Sequence, residues 1–364
     1  MDSLKTFAEI DLSAISHNLE IVKKKTNNKS VLAVVKAGAY GHGAVEVSRH
    51  LLKNGVSILG VAFIEEAIEI REAGIRAPIL VFFDTSNIDS FFKYNLVPTV
   101  LDFKTAKAFS DKASKYNRKI AVHIKIDTGM GRVGLRAADA FPDVLRIAEL
   151  KNLKLEGIMS HFSDADLADK DFTANQLKTF IKLIELLKEK NVYFKFSHIA
   201  NSAAVLLFPR SHLNMVRPGI MLYGYGTASK NTLKPVLSLK SKVIFLKNVP
   251  ARTPISYGRT FITKKKSVIA TIPVGYADGY NRRLSNCGNV LINNRRAPVV
   301  GRVCMDTTMV DVTEVPHVKE NTEVILIGSQ GKEKITAQDI ADKIGTIPYE
   351  VLTSIGHRVK RIYK

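Results

Sequence analysis

Residues 31–43 read VLAVVKAGAYGHG: five apolar residues run into Lys36, and a glycine-rich turn follows. An unbroken apolar run of this kind predicts a strand buried on both faces, as in a parallel sheet. Lysine is rarely buried without a partner, so Lys36 at the end of such a strand calls for a chemical reason. Similar runs follow at 57–62 (SILGVA), 77–83 (APILVFF), 97–101 (VPTVL), 120–126 (IAVHIKI), 153–162 (LKLEGIMSHF), 194–200 (FKFSHIA) and 214–224 (NMVRPGIMLYG). Between them lie stretches of helical spacing such as FIEEAIEIREAG and FTANQLKTFIKLIELLKEK. Strand–helix alternation predicts parallel strands with right-handed crossovers. Eight such units predict a (β/α)8 barrel. A doubly wound open sheet is the competing arrangement, but no GxGxxG opens a helix after the first run. The eighth run is the weakest, because Pro218 interrupts it.

Beyond about residue 230 the helical stretches stop. VLSLKSKVIFLKNV, SVIATIPVGYA, NVLINN, APVVGRVCMDTTMVDVT and EVILIG follow one another, with one late helix-like segment, TAQDIADKIG. The expected fold class is α/β: an N-terminal (β/α)8 TIM-type barrel over residues 1–230, then a mostly-β domain over 231–364. The early run FAEIDL is a further strand, and residues 1–11 are expected to pair with the second domain.

The 364-residue chain carries a net charge of +20, yet its basic clusters are short and scattered, with no nucleic-acid module beside them. An acidic or phosphorylated small ligand fits that charge as well. The N-terminus lacks an apolar leader core, and no segment approaches 18 uncharged apolar residues. Cys287 and Cys304 make no disulfide framework. The expectation is a cytoplasmic protein with neither nucleic acid nor membrane as partner.

In a barrel, chemistry gathers where the strands end. Lys36 ends the first run, Lys125 the fifth and His161 the sixth; His198 and Ser202 close the seventh, and Arg217 opens a turn in the eighth. A partly desolvated lysine favours its neutral amine, which forms a Schiff base with a carbonyl. Pyridoxal phosphate is the common aldehyde cofactor. Backbone N–H groups at Gly219 and Ile220 with the Ser202 hydroxyl suit its phosphate, Arg217 suits its pyridine nitrogen, and the Tyr40 hydroxyl suits the phosphate or ring edge.

AVVKAGAYGHG (33–43) resembles the lysine segment of the alanine racemase family. KIDTGMGRVG (125–134), SHFSDAD (160–166), IANSAA (199–204), VRPGIMLYG (216–224), ISYGRTF (255–261), VGYADGY (274–280), VGRVCMDTTMVDVT (300–313) and IPYEVL (347–352) resemble that family's segments in the family's order. The resemblance covers nearly the whole chain. It implies a homodimer whose active sites combine one subunit's barrel with the partner's β domain, interconverting L- and D-alanine for peptidoglycan. By the same resemblance Lys36 holds pyridoxal 5'-phosphate and is one base, and Tyr257 from the partner subunit is the opposite base. Tyr40, Ser202, Gly219, Ile220 and Tyr349 surround the phosphate. Arg217 faces the pyridine nitrogen, with His161 and His198 supporting it and the ring. Arg132 and the Met305 backbone orient the substrate carboxylate, and Asp306 adjoins Met305 in a supporting place. Lys125 matches a position often carbamylated, which would hold Arg132. Tyr276 and Tyr349 narrow the entrance and favour a methyl side chain. No metal is implied.

Three segments depart from the family's habit. Gly38 stands where Asn or Asp is usual, which is expected to loosen the lysine turn. LVFFDTS ends the third strand where an LVLG-type end is usual, and the tail reads RVKR for RVPR. Broader racemisation of serine or larger amino acids, a barrel-type decarboxylase, and a cofactor carrier remain as rivals. A decarboxylase has no need of Tyr257, and a carrier consists of the barrel alone.

Overall fold

Every apolar run ahead of residue 225 becomes a barrel strand in the computed structural model, which describes residues 5–226 and 232–364. The strands are Ser30–Val34, Ile58–Val61, Ile79–Val81, Val97–Val100, Ile120–Asp127, Leu153–Met159, Phe196–His198 and Met215–Val216. Each of the first six pairs in parallel with the next, and Met215–Val216 pairs back onto Ser30–Val34. The Arg217 N–H donates to the Ala200 carbonyl at 2.9 Å, which links the last two strands and brings the ring near to closure. Helices alternate with the strands. Ala44–Lys53 turns Ala44, Val47, Ser48 and Leu51 inward, the three-and-four spacing of one helical face. Phe103–Lys115 buries Ala106, Phe109, Ser110 and Ala113 and is capped by Asp102, whose carboxylate accepts from the Thr105 N–H at 2.6 Å.

Two details differ from the expectation. The first strand stops at Val34 rather than running through Lys36, because the backbone turns left-handed at Ala37. The eighth is reduced to two residues, since Pro218 has no N–H for a ladder. A short extra strand, Leu135–Arg136, also pairs with the end of Ile120–Asp127.

The chain divides into two compact units. One comprises Ile15–Ala39 and Ala44–Leu233, and contains the barrel. The other comprises the N-terminal residues through Ala14, the short piece Tyr40–Gly43, and Lys234–Lys364. The expected boundary between residues 230 and 231 lies outside the described residues. The second unit is mostly β. Its main sheet places Thr6–Ile10 between Leu237–Lys242, antiparallel, and Lys360–Tyr363, parallel. Leu237–Lys242 continues to Glu323–Gln330, Asn289–Ile292 and Arg295–Pro298. The unit also holds a three-stranded sheet of Phe245–Val249, Ser267–Ile272 and Thr308–Asp311, and a small hairpin of Pro254–Ile255 and Phe261–Ile262. No helix of the described residues is long and apolar enough to cross a membrane.

Candidate active site

Lys36 opens a turn of unusual backbone. Ala37, Gly38, Ala39 and Tyr40 have φ of 51°, 60°, 54° and 55°, one left-handed turn in succession. This conformation costs roughly 1–2 kcal/mol for each residue bearing a Cβ. Gly38 adopts it freely, so the departure expected to loosen the turn removes strain instead. The Ala39 N–H donates to the Val35 carbonyl at 2.8 Å, and the Ala37 N–H donates to the Glu66 carboxylate. Burial lowers the Lys36 amine below the ordinary lysine value, Arg132 lowers it further, and Glu66 opposes both.

Arg217 stands on the same rim, after the eighth strand, and is 4% exposed. It has no carboxylate partner among the described residues. Its guanidinium donates to the Ser160 carbonyl at 2.5 Å, the Ile199 carbonyl at 3.3 Å, His198 Nδ1 at 2.7 Å and His161 Nδ1 at 3.2 Å. Burial first and Arg132 second bring Arg217 down to about 9, so it keeps its charge at neutral pH. Because arginine only donates, His198 must accept at Nδ1 and carry its proton on Nε2. His198 Nε2 then donates to His123 Nδ1, 2.8 Å away. Burial and Arg217 push His123 down to about 3 and hold His198 well below the usual histidine range. Both are neutral imidazoles. The His123 ring lies where a Cβ on Gly157 would sit, 2.3 Å from Nδ1, and the strand register shifts beside it. His161 is held low by burial and by the cations Arg217, Arg132, Lys125 and Lys36.

Lys125 is buried and donates from Nζ to the Ile126 carbonyl at 2.8 Å. Burial, then Arg217, draws it down to about 7. Asp127, two residues on, accepts from the N–H groups of Gly129, Met130 and Gly131 and shapes the loop that carries Arg132. The Arg132 guanidinium lies 4.8 Å from the centre of the Phe83 ring, and Lys36 Nζ lies 5.7 Å from it. After the seventh strand, the Ser202 hydroxyl accepts from the Gly219 N–H at 2.8 Å and the Met221 N–H at 3.3 Å. That leaves the hydroxyl hydrogen free to donate. The buried Ile220 N–H has no acceptor among the described residues.

The remaining predicted residues belong to the second unit. The Tyr40 and Tyr349 rings lie 5.9 Å apart, tilted by 51°. Tyr257 begins a short 3-10 turn after Ser256, whose φ is 65° and whose hydroxyl donates to the Arg302 carbonyl at 2.7 Å. Tyr276 and Met305 sit on adjoining loops: the N–H groups of Tyr276 and Ala277 donate to the carbonyls of Cys304 and Met305, both at 3.1 Å. Arg358 clamps these loops, donating to Asp278 at 2.6 and 3.1 Å and to Asp306 at 2.7 Å. Tyr257, Met305, Tyr276 and Tyr349 are all exposed in the single chain.

Two domain models account for this architecture: alanine racemase, N-terminal domain, over residues 10–227, and alanine racemase, C-terminal domain, over residues 236–363. The chain belongs to the alanine racemase family. An alanine racemase from Halothermothrix orenii is 48% identical over 99% of this chain and 97% of its own length. The solved alanine racemase of Clostridium difficile 630 superposes with a TM-score of 0.94 at 38% identity, covering 100% of this chain and 97% of that one. A Bartonella henselae alanine racemase with covalently bound pyridoxal phosphate gives 0.90 at 30% identity, covering 99% and 100%.

The barrel unit thus gathers Lys36, Lys125, Arg132, His161, His198, Ser202, Arg217, Gly219 and Ile220 at the strand ends. Tyr40, Tyr257, Tyr276, Met305, Asp306 and Tyr349 fall in the family's other unit. Sequence reading missed His123, Phe83 and Glu66. His123 sits inside an apolar run as Lys125 does, and that was its signal. Phe83 lay in a segment already marked as unusual. Glu66 looks like any helix-surface acid.

Proposed function

We propose that the protein interconverts L- and D-alanine with pyridoxal 5'-phosphate held by Lys36, in the cytoplasm, supplying D-alanine for peptidoglycan. The observation that carries this reading is Arg217, a buried guanidinium met, among the described residues, only by neutral acceptors, on the same rim as Lys36, whose amine is drawn toward neutrality. The donor set suits the cofactor. Lys36 offers the amine for a Schiff base, Arg217 a hydrogen-bond donor for the pyridine nitrogen, and Ser202 and the Ile220 N–H two free donors for a phosphate. Tyr40 and Tyr349 contribute hydroxyls to the same phosphate, and the Gly219 N–H keeps Ser202 in place. When bound, the cofactor withdraws electrons from the substrate α-carbon and so acidifies its hydrogen.

Arg217 would offer a donor to the ring nitrogen without giving up its own proton, which would limit that withdrawal and curb side reactions such as transamination. His198 and His161 hold the guanidinium by accepting from it. Lys36 removes or returns the α-proton on one side. Tyr257 of a second copy does so on the other, so that two bases on opposite faces reverse the configuration. Arg132 and the Met305 N–H receive the substrate carboxylate, with Lys125 behind Arg132 and Asp306 steadying Met305 through Arg358. Tyr276 and Tyr349 leave room for a methyl group. The second copy makes the functional unit a homodimer.

The test is racemisation of L-alanine with added pyridoxal phosphate, with serine, lysine and carbon dioxide release measured alongside. D-alanine as the dominant product supports the reading. Faster turnover of serine, or carbon dioxide without D-alanine, overturns it.

A further inference from the structure

We propose that Glu66 is the positioning residue of the lysine turn: its carboxylate ties the Ala37 N–H to the start of the helix Ile64–Glu72 and holds the left-handed arc that presents Lys36. This rests on the reading that Lys36 carries pyridoxal phosphate. The first two barrel strands pair in register up to Val34 and Gly60, and the Val35 N–H makes the last bond of that ladder, to the Gly60 carbonyl. Beyond it, the two chains separate into a turn and a helix, and their N–H groups need other acceptors. Glu66 supplies them. One oxygen accepts from Ala62 at 2.7 Å and Phe63 at 3.2 Å, closing the helix start, and the other accepts from Ala37. A single carboxylate therefore bridges the ends of two neighbouring strands.

The turn needs such a tie. Ala37, Ala39 and Tyr40 all hold positive φ with a Cβ, and a backbone of this kind persists only where its surroundings over-determine it. Its far end is fixed by backbone, through the Ala39 N–H on the Val35 carbonyl. Its near end is fixed by Glu66. Chemistry makes the residue hard to replace. Three N–H donors surround two acceptor oxygens. Glutamine would turn an NH2 toward one set of donors, and aspartate is one methylene too short to span both.

The test compares the holoenzyme with Glu66→Gln, with Glu65→Gln at the exposed neighbouring position, and with the double variant Glu66→Gln/Ala37→Gly. Three quantities are read: pyridoxal phosphate affinity from the absorbance of its lysine adduct, the rate at which hydroxylamine strips the cofactor, and amide exchange at Ala37. Glu66→Gln should weaken cofactor binding by about ten-fold, the scale on which outer partners of a bound group act. It should also speed stripping and exchange at Ala37, while Glu65→Gln matches the parent. Ala37→Gly in the Glu66→Gln background should recover most of the affinity, because glycine holds the arc without a tether. A Glu66→Gln protein that binds and exchanges like the parent overturns the proposal. So does a loss that Ala37→Gly leaves untouched, which would assign Glu66 to its helix start alone. If the parent takes up no cofactor at Lys36, the functional reading fails as well, and that result is distinct from either of these.

Discussion

Arg217 and Tyr257 mark two ways of building a functional group into this chain. Arg217 is 4% exposed, and four acceptors from two strand ends hold its guanidinium. Tyr257 is 70% exposed on a short turn whose backbone, not its side chain, is pinned. The same contrast runs through both units. In the barrel, His123, Lys125, His198 and Arg217 are buried and shifted in proton affinity by that burial. Met305 and Tyr276 face solvent from loops fixed by backbone bonds and the Arg358 clamp, and Tyr349 does so from the short helix Pro348–Thr353. One region is preorganised in the single chain. The other presents apolar and aromatic side chains of the type that mark a surface meant for another molecule.

Four experiments sharpen or break that contrast. Lys36→Ala should reduce racemisation to background and abolish the lysine-linked absorbance; persistence of both would remove the barrel's claim to the chemistry. Tyr257→Phe should cost racemisation about 10²–10⁴-fold, the usual worth of a positioned acid or base, in both directions alike, while abstraction of the α-proton, read as exchange with solvent deuterium, falls far more for one enantiomer than for the other. Equal, small losses of exchange from both enantiomers would contradict a two-base scheme. Mixing Lys36→Ala and Tyr257→Phe proteins should restore activity that neither has alone, since a mixed dimer holds one intact pair. No recovery would confine both bases to one chain.

The third experiment addresses the buried imidazoles. His123, His161 and His198 have folded-state affinities for protons below that of a free histidine. Above pH 6.5 both folded and unfolded chains leave them neutral, and their contribution to stability is fully present. As the pH falls below 6.5 the unfolded chain gains protons that the folded one refuses, so stability is lost, for His123 down to about pH 3. Each group takes away up to about 1.4 kcal/mol per pH unit. Urea unfolding from pH 7.5 to 5 should show this slope, and His123→Gln should reduce it by one proton; a flat profile would mean the imidazoles are charged in the fold. The smallest effect expected is Tyr349→Ala. By widening the entrance it should raise serine turnover relative to alanine by roughly ten-fold, the scale of small side-chain discrimination. An unchanged ratio would take specificity away from the exposed loops.

The barrel was legible because its strands are buried on both faces, so SVLAV and IAVHIKI betray themselves by composition alone. Lys36, His161, His198 and Arg217 were legible as polar interruptions at the ends of those runs. The left-handed lysine turn was not, since alanine carries no signal for positive φ; a local backbone bond to Val35 and a tertiary one to Glu66 hold it. Tyr257 and Met305 came from resemblance to a family, because an exposed side chain on a loop leaves no periodic trace. Phe83 shows the reverse: its segment was visibly atypical, yet its place between Lys36 and Arg132 depends on how two strand ends meet.

The strand Thr6–Ile10 lies inside a sheet between Leu237–Lys242 and Lys360–Tyr363. Both neighbours are made after all the barrel strands. Through most of synthesis this early strand, with Phe7, Ala8 and Ile10, has no edge to join, while the barrel residues behind it can already pair with one another. Completion of the second unit is therefore a late event that stitches the two far ends of the chain together. A nascent chain halted before residue 360 would leave the N-terminal strand open on one edge, and so open to pairing with other chains.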